Sequence, residues 1–281
     1  MKLNEKAMLV GIGFSRWTGK TMDRNVSVEV LNSKGASDGG GNWWTHLIPK
    51  KDMRKITTAY NRCKKVHSEM TLPWSDNGLR VLPASMFMEY RKAIQECVEE
   101  FDSAVEDFLK TYPKLKQNAH SRLGDLLKGK VLPTTSELRC KFGVRQEILP
   151  IPSVQDFRID LSDADIDEVK QQITETLSDA TSKAVAGVWD RLAELVDKIG
   201  STLKKPDKIF RDSLIKNLAD FCKLIPKFNM TNDESLEKMR QEIIQSLTKL
   251  DPQDLRESKG KRKKAAKSAK TLIKKMEDMG Y

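Results

Sequence analysis

Residues Gly11 to Thr21 read GIGFSRWTGKT and end in Gly-Lys-Thr, as a phosphate-binding loop does. Such a loop needs a glycine five places before the second one, so that a turn of backbone N–H groups wraps the β-phosphate. Counting back from Gly19 reaches Phe14, and Gly13 lies one residue too far. The lysine of such a loop also opens a helix, whose N-terminus faces the phosphates. Here Thr21 is followed by MDRNVSVEVLNSKGASDGGG, in which Val26, Val28 and Val30 alternate with polar residues. That period predicts a strand running into a glycine-rich loop. The stretch is therefore read as strand and turn: Gly19 permits the turn, Trp17 anchors it, and Arg16 with Lys20 can reach a phosphate of a polymer.

Outward from this stretch, the first 50 residues read as strands and loops: AMLVGIGF, NVSVEV, and NWWTHLIP after a GGGN turn. Residues 51 to 70 switch to helix. After a turn-rich connector around Pro73, apolar positions Phe87, Tyr90, Ile94, Cys97, Phe101, Ala104, Phe108 and Tyr112 step by three and four. They predict a long amphipathic helix packed antiparallel on helix 51–70. Pro113 is expected to end it, with shorter helical pieces over 114–138. The segment 142–161 alternates like a strand around two prolines and is expected to return to the N-terminal strands and complete one small sheet.

Ser162 is placed as the cap of the longest helix, with Asp163, Asp165, Asp167 and Glu168 in its first turns, where the helix dipole favours carboxylates. The seam Ile166, Val169, Ile173, Leu177, Ala180, Ala184, Val188, Leu192, Val196 and Ile199 carries this helix to about Leu203. Pro206 is expected to start another helix ending near Pro226, Thr231 with Glu234 makes a capping-box signature, and Asp251-Pro252 opens the last helix. The fold class expected is α+β, predominantly α. A small N-terminal sheet is completed near 142–161 and combined with long, antiparallel, coiled-coil-like helices. Two domains are expected: an α+β domain over 1–160 and an all-helical domain over 161–281 with a basic C-terminal helix.

Composition narrows the functional classes. Of 281 residues, 38% are hydrophobic and 32% charged, a mixture suited to long, partly solvated helices. The formal charge is +10, and an acidic stretch over 161–203, with 4 basic against 9 acidic residues, separates two basic regions. Excess positive charge favours polyanions such as nucleic acid. Cys63, Cys97, Cys140 and Cys222 are too far apart for a zinc knuckle. No run approaches the ~20 apolar residues that cross a bilayer. The expectation is a soluble protein of the bacterial cytoplasm with no membrane partner.

The catalytic and metal-binding patterns fail on their own terms. Asp163-x-Asp165-x-Asp167 begins like a calcium loop, but Glu168 stands where glycine is needed and Thr174 where a bidentate glutamate is needed. Cys63 and His67 are one helical turn apart, yet two ligands do not make a metal site, and a buried thiol beside a surface imidazole is the plainer reading. No nucleophile elbow or metalloprotease motif occurs. No catalytic residue, metal or cofactor is assigned, and the protein is read as a non-enzyme.

Two basic regions remain. From Arg256 to Lys270 the chain holds eight cations and one acid. On a helix, Leu255, Arg262, Ala265, Ala269, Leu272, Met276 and Met279 form a narrow stripe, leaving most lysines outside it. That face either solvates the helix beside the acidic one or contacts phosphates. Near the N-terminus, Trp17, Trp43, Trp44 and Trp74 lie close in sequence to Arg16, Lys20, Lys50 and Lys51. Aromatics interleaved with cations stack bases and track phosphates in single-strand binders, and they equally fill the core of a small sheet. The candidate nucleic-acid-binding residues are Arg16, Trp17, Lys20, Lys50, Lys51, Lys259, Lys261, Arg262, Lys263, Lys264, Lys267 and Lys270.

The Trp17-Thr-Gly19-Lys20 turn, the segment Phe210-Arg211-Asp212-Ser213-x-x-x-Asn217-Leu218, and the ending from Leu255-Arg256 through a basic stretch to Met276 resemble an uncharacterised domain-of-unknown-function family. That family occurs in bacteria, phages and integrative mobile elements, often encoded near a MoxR-like AAA+ ATPase. The resemblance implies a context of mobile-element DNA metabolism or host takeover and transfers no catalytic residue. The expectation is a self-associating, homo-oligomeric DNA- or RNA-binding protein of replication, recombination or defence evasion. The alternative is a coiled-coil adaptor or assembly subunit, with an AAA+ ATPase as partner. A structural or counter-defence protein acting by occlusion is not separable from these in the sequence.

Overall fold

A computed structural model describes residues 3–37, 39–75, 78–152, 163–205 and 208–281, with only the backbone described for 163–165. In chain order the helices are α1 (Leu3–Lys6), α2 (Arg24–Ser33), α3 (Arg54–Met70), α4 (Phe87–Leu123), α5 (Thr135–Arg139), α6 (Asp163–Leu203), α7 (Ser213–Phe228), α8 (Glu234–Ile243), α9 (Pro252–Glu257) and α10 (Lys259–Asp278). The strands are β1 (Ala7–Ser15), β2 (Lys20–Asp23), β3 (Trp43–His46), β4 (Leu72–Pro73), β5 (Arg80–Pro83) and β6 (Gly143–Pro150). Helix accounts for 67% of the structure, so the class is α+β, predominantly α. No helix among the described residues is long and apolar enough to cross a membrane.

The chain forms two compact units, each discontinuous in sequence: one of Met1–Gly11, Met70–Met88 and Glu147–Tyr281, the other of Ile12–Glu69 and Glu89–Gln146. The expected contiguous division was at 160/161; the chain instead passes between units at 11/12, 69/70, 88/89 and 146/147. A four-stranded sheet has the order β4-β5-β1-β6, with Ala7 opposite Pro83 and Val10 opposite Arg80 in an antiparallel register. Residues 143–150 thus do return to the N-terminal strand, whereas 153–161 of the expected segment lie outside the described residues.

In the second unit, Ile56, Ala59, Cys63 and His67 of α3 are buried at steps of three and four. Ile56 and Ala59 pack with Phe101, Val105, Phe108 and Tyr112 of α4 and with Leu138 of α5. Ion pairs Lys55–Asp107 and Arg62–Glu100, and the His67–Tyr90 hydrogen bond, run in opposite directions along the two helices, so α3 and α4 are antiparallel. Contrary to expectation, α4 does not stop at Pro113 but continues to Leu123. Tyr112 and Lys116, on either side of the proline, hold it in place by donating to the carbonyl of Pro133.

The segment NVSVEV is also not a strand but lies in helix α2. Asp23 caps it, accepting from Val26 N at 3.2 Å, and Ser27 Oγ donates to Asp23 O while accepting from Trp43 N at 2.7 Å. A side-chain cap and a buried serine outweigh the β-branched alternation, and Val28 and Val30 are left exposed.

In the first unit, α10 runs antiparallel to the C-terminal half of α6. Gly200 approaches so closely that an added Cβ would lie 3.2 Å from that of Ala269. Of the α6 seam, Ala180, Ala184, Val188, Leu192, Val196 and Ile199 are buried, while Ile166, Val169, Ile173 and Leu177 are half-exposed. Trp189, fully buried on α6, stacks on Tyr281 at 4.5 Å and donates to Asp233. The cap of α8 is Asp233, accepting from Ser235 N and Leu236 N, and not the Thr231 that the spacing to Glu234 suggested. Helix α7 continues through Pro226 to Phe228, and a π turn over Ile244–Thr248 extends α8. Asp251 and Pro252 open a helix, but the short α9 and not the last one: α10 starts anew at Lys259, capped by Ser258, whose side chain accepts from Lys261 N. The expected roles of Ser162 and Pro206 fall outside the described residues.

Candidate nucleic-acid interface

The turn before β2 depends on Gly19, whose φ of +66° is one that glycine adopts without strain, and its carbonyl accepts from Ile48 N at 3.2 Å. Lys20 and Thr21 lie in strand β2 and not at a helix N-terminus. The register pairs Lys20 with His46, Thr21 with Thr45, Met22 with Trp44, and Asp23 with Trp43. Because opposed residues share a face and successive residues alternate, Lys20, Met22, Trp44 and His46 form one face of the ribbon. The helix that does follow, α2, has its N-terminus filled by Asp23, whose carboxylate also pairs with Lys130 and accepts from Thr45. The anion site a nucleotide loop would offer is therefore occupied by the protein's own carboxylate.

Five of the sequence-selected residues converge. Arg16, Trp17, Lys20, Lys50 and Lys51 line one cleft of about 540 Å³, together with His46, Arg54, Thr18, Thr57 and Thr58, over a floor of Ile48, Met53 and Ile56. No carboxylate is among the described residues lining it. The guanidinium of Arg16 lies 3.9 Å from the centroid of the Tyr60 ring, which fixes its plane and leaves its N–H edge for acceptors. The first turn of α3 carries no acid, and its first residue, Arg54, is on the cleft wall. A cation there opposes the helix dipole, an arrangement that an anion in the cleft would relieve. Asp52, just before α3, has Oδ2 buried without a hydrogen-bond partner and does not line the cleft.

Burial, and then the charges of Lys50, Lys20 and Arg122, hold the His46 imidazole below its ordinary value of 6.5. Arg122 is locked beside it, donating to the carbonyls of His46 and Leu47 at 2.8 and 2.7 Å.

The C-terminal set belongs to the other unit and divides. Lys259, Lys261, Lys263, Lys264, Lys267 and Lys270 are exposed on α10, with Lys261 paired to Asp254 at 2.6 Å. Lys264 and Lys267 line a groove of about 560 Å³ beside Gln245, Ser246 and the Lys275–Glu242 ion pair. Arg262 is a correction. It is 6% exposed and turned inward, donating to the carbonyls of Thr202, Leu203, Lys205 and Lys208. It closes the C-terminal end of α6, where helix carbonyls lack partners, and is not available to a phosphate.

The tryptophans also divide. Trp74 and Trp189 are core, Trp17 is half-buried against Phe108 and Tyr112, and Trp43 and Trp44 are exposed. Sequence reading gave no site role to His46, Arg54, Thr57 or Thr58; the run Lys50-Lys51-x-x-Arg54 was the available signal. His67 is buried, not on the surface, and its Nδ1 meets Tyr90 Oη at 2.8 Å. Cys63 is core, its thiol pushed up to about 12 by burial. The residues resembling a family motif are structural here: Phe210 lies under both Arg256 and Arg262, and Asp212 pairs with Arg256. No protein-family model, no curated protein and no solved structure matches this chain, and the site stands on its own geometry.

Proposed function

We propose that this protein is a non-enzymatic nucleic-acid-binding protein that holds the phosphates of DNA or RNA in the cleft between the β2–β3 ribbon and the start of α3. The observation that carries this reading is the convergence of Arg16, Lys20, Lys50, Lys51 and Arg54 on one cleft with no carboxylate among its described lining residues. Like charges so placed repel one another, and a polyanion converts that repulsion into binding while releasing its own counterions. The exposed lysines of α10 give the other unit a basic face of its own. The role in phage or mobile-element DNA metabolism is part of the proposal and rests on the resemblance alone.

Fluorescence anisotropy with labelled oligonucleotides over 50–200 mM salt tests it. The logarithm of the affinity should fall linearly with the logarithm of salt, with a slope of about −0.7 to −0.9 per phosphate contacted. Lys20→Gln, Lys50→Gln and Lys51→Gln should each flatten the slope by roughly one. No retention of either nucleic acid at low salt would reject the reading.

The adaptor reading keeps one specific support: the half-exposed residues Ile166, Val169, Ile173 and Leu177 on the N-terminal half of α6, spaced for a helical partner. Replacing Ile173 and Leu177 with Gln should lower the oligomer size in light scattering under that reading and leave anisotropy unchanged. A MoxR-like AAA+ ATPase remains the partner the resemblance implies.

A further inference from the structure

The cleft explains phosphates but not the surface beside it. Trp44 is 46% exposed and Met22, its cross-strand partner, 36%. They lie on the same face of the ribbon as Lys20 and His46, which line the cleft, so the apolar face and the basic cleft are continuous. Lys20 Nζ sits 4.6 Å from the centroid of the Trp44 ring, which joins the two chemically: one side chain serves both the ring and the cleft.

We infer, resting on the nucleic-acid reading above, that this face takes a single strand, with one base stacked on the Trp44 indole and flanking phosphates held by Lys20 and the cleft cations. An indole with about half its surface open offers a flat partner to any base, whatever its sequence. A duplex cannot use it, because its bases already stack on one another and present only their edges in the grooves. The ammonium lies over one face of the ring, so the base takes the opposite face, and Lys20 meets the phosphate one sugar away. Met22 extends the platform and excludes water from the edge of the stack. Base-independent binding follows, since stacking uses the flat face that every base has and does not read a base edge.

The full-length chain is titrated with oligodeoxythymidylate of about 16 nucleotides, a duplex of equal length, inorganic polyphosphate of matched charge, and phosphatidylserine vesicles. The strand should bind more tightly than the duplex. Trp44→Ala should weaken strand binding about five- to a hundredfold, leave polyphosphate binding and the melting temperature unchanged, and be largely rescued by Trp44→Phe. Equal losses for strand and polyphosphate, an unaffected strand affinity, tighter duplex binding, or vesicles displacing the strand would each overturn the inference. Failure to bind any of these polyanions would instead reject the cleft reading, and this inference with it.

Discussion

Arg262 Nε donates to the carbonyl oxygen of Leu203 at 3.2 Å, tying the first turns of α10 to the last residue of α6 across 59 positions of sequence. A charged donor on a buried helix end contributes more than a neutral one, and its loss strands several carbonyls at once. Arg262→Ala is expected to cost about 2–3 kcal/mol of unfolding free energy, read by denaturant titration. Replacing Lys263, Lys264 and Lys267 with Gln should leave stability nearly unchanged. A nucleic-acid test on α10 should therefore spare Arg262, whose removal would mix unfolding with lost affinity.

Asp23 ties the ribbon to α2 and to Lys130, and the bond from Lys130 holds its carboxyl below the usual range, with the cap to Val26 N adding to this. A lowered pKa in the folded state means that the unfolded chain takes up protons first. This contribution is present above 3.8 and is lost as pH falls through the lower folded value. Asp23→Asn should flatten the acid limb of the stability profile in that window. It should also raise amide exchange in α2 and β3, measured by hydrogen exchange.

His46 reports on the cleft. Neighbouring cations and burial disfavour its charged form, so its NMR titration midpoint should fall below 6.5 in the free protein. Its contribution to folding therefore declines as pH drops from 6.5 through that lower midpoint. A bound polyanion opposes Lys20 and Lys50 and should raise the midpoint, so that binding takes up a proton and tightens as pH falls through the same range. A midpoint unmoved by oligonucleotide would place the polymer elsewhere.

Pro113 interrupts the backbone bonding of α4 without ending the helix. Pro113→Ala restores an N–H donor in a helix that already has the right path, and is expected to stabilise by about 1–3 kcal/mol. A lower melting temperature would show that the proline itself is needed to seat Tyr112 and Lys116 on Pro133.

What was legible follows from how local each signal is. The helix over 51–70 and the seam of α4 are written in neighbouring residues and are legible there, whereas Asp251-Pro252 marks a helix start but of α9, not of the last helix, which Ser258 caps. Helix α2 was misread because Val26, Val28 and Val30 carry a strand period, while the deciding bond to Trp43 comes from 16 positions away. Arg262 was placed on the apolar stripe by periodicity, yet its partners lie at the end of another helix. The basic residues of the cleft were visible singly. Their convergence depends on the Gly19 turn and the β2–β3 register, neither of which the spacing of lysines encodes.

The discontinuous arrangement of the two units also orders events in time. Residues 12–69 and 89–146 have all been synthesised before α6 begins to be made. The cleft-bearing unit can therefore close early, on the nascent chain. Residues 1–11 and 70–88, synthesised in the same interval, can pair as strands with one another but must wait for 147–281 before the helices of their own unit exist. A chain stalled far enough beyond residue 146 for that residue to clear the exit tunnel should already present the cleft, while its short strands β4 and β5 still await their helices. Vectorial synthesis thus delivers the basic face of this protein before the helical body that completes it.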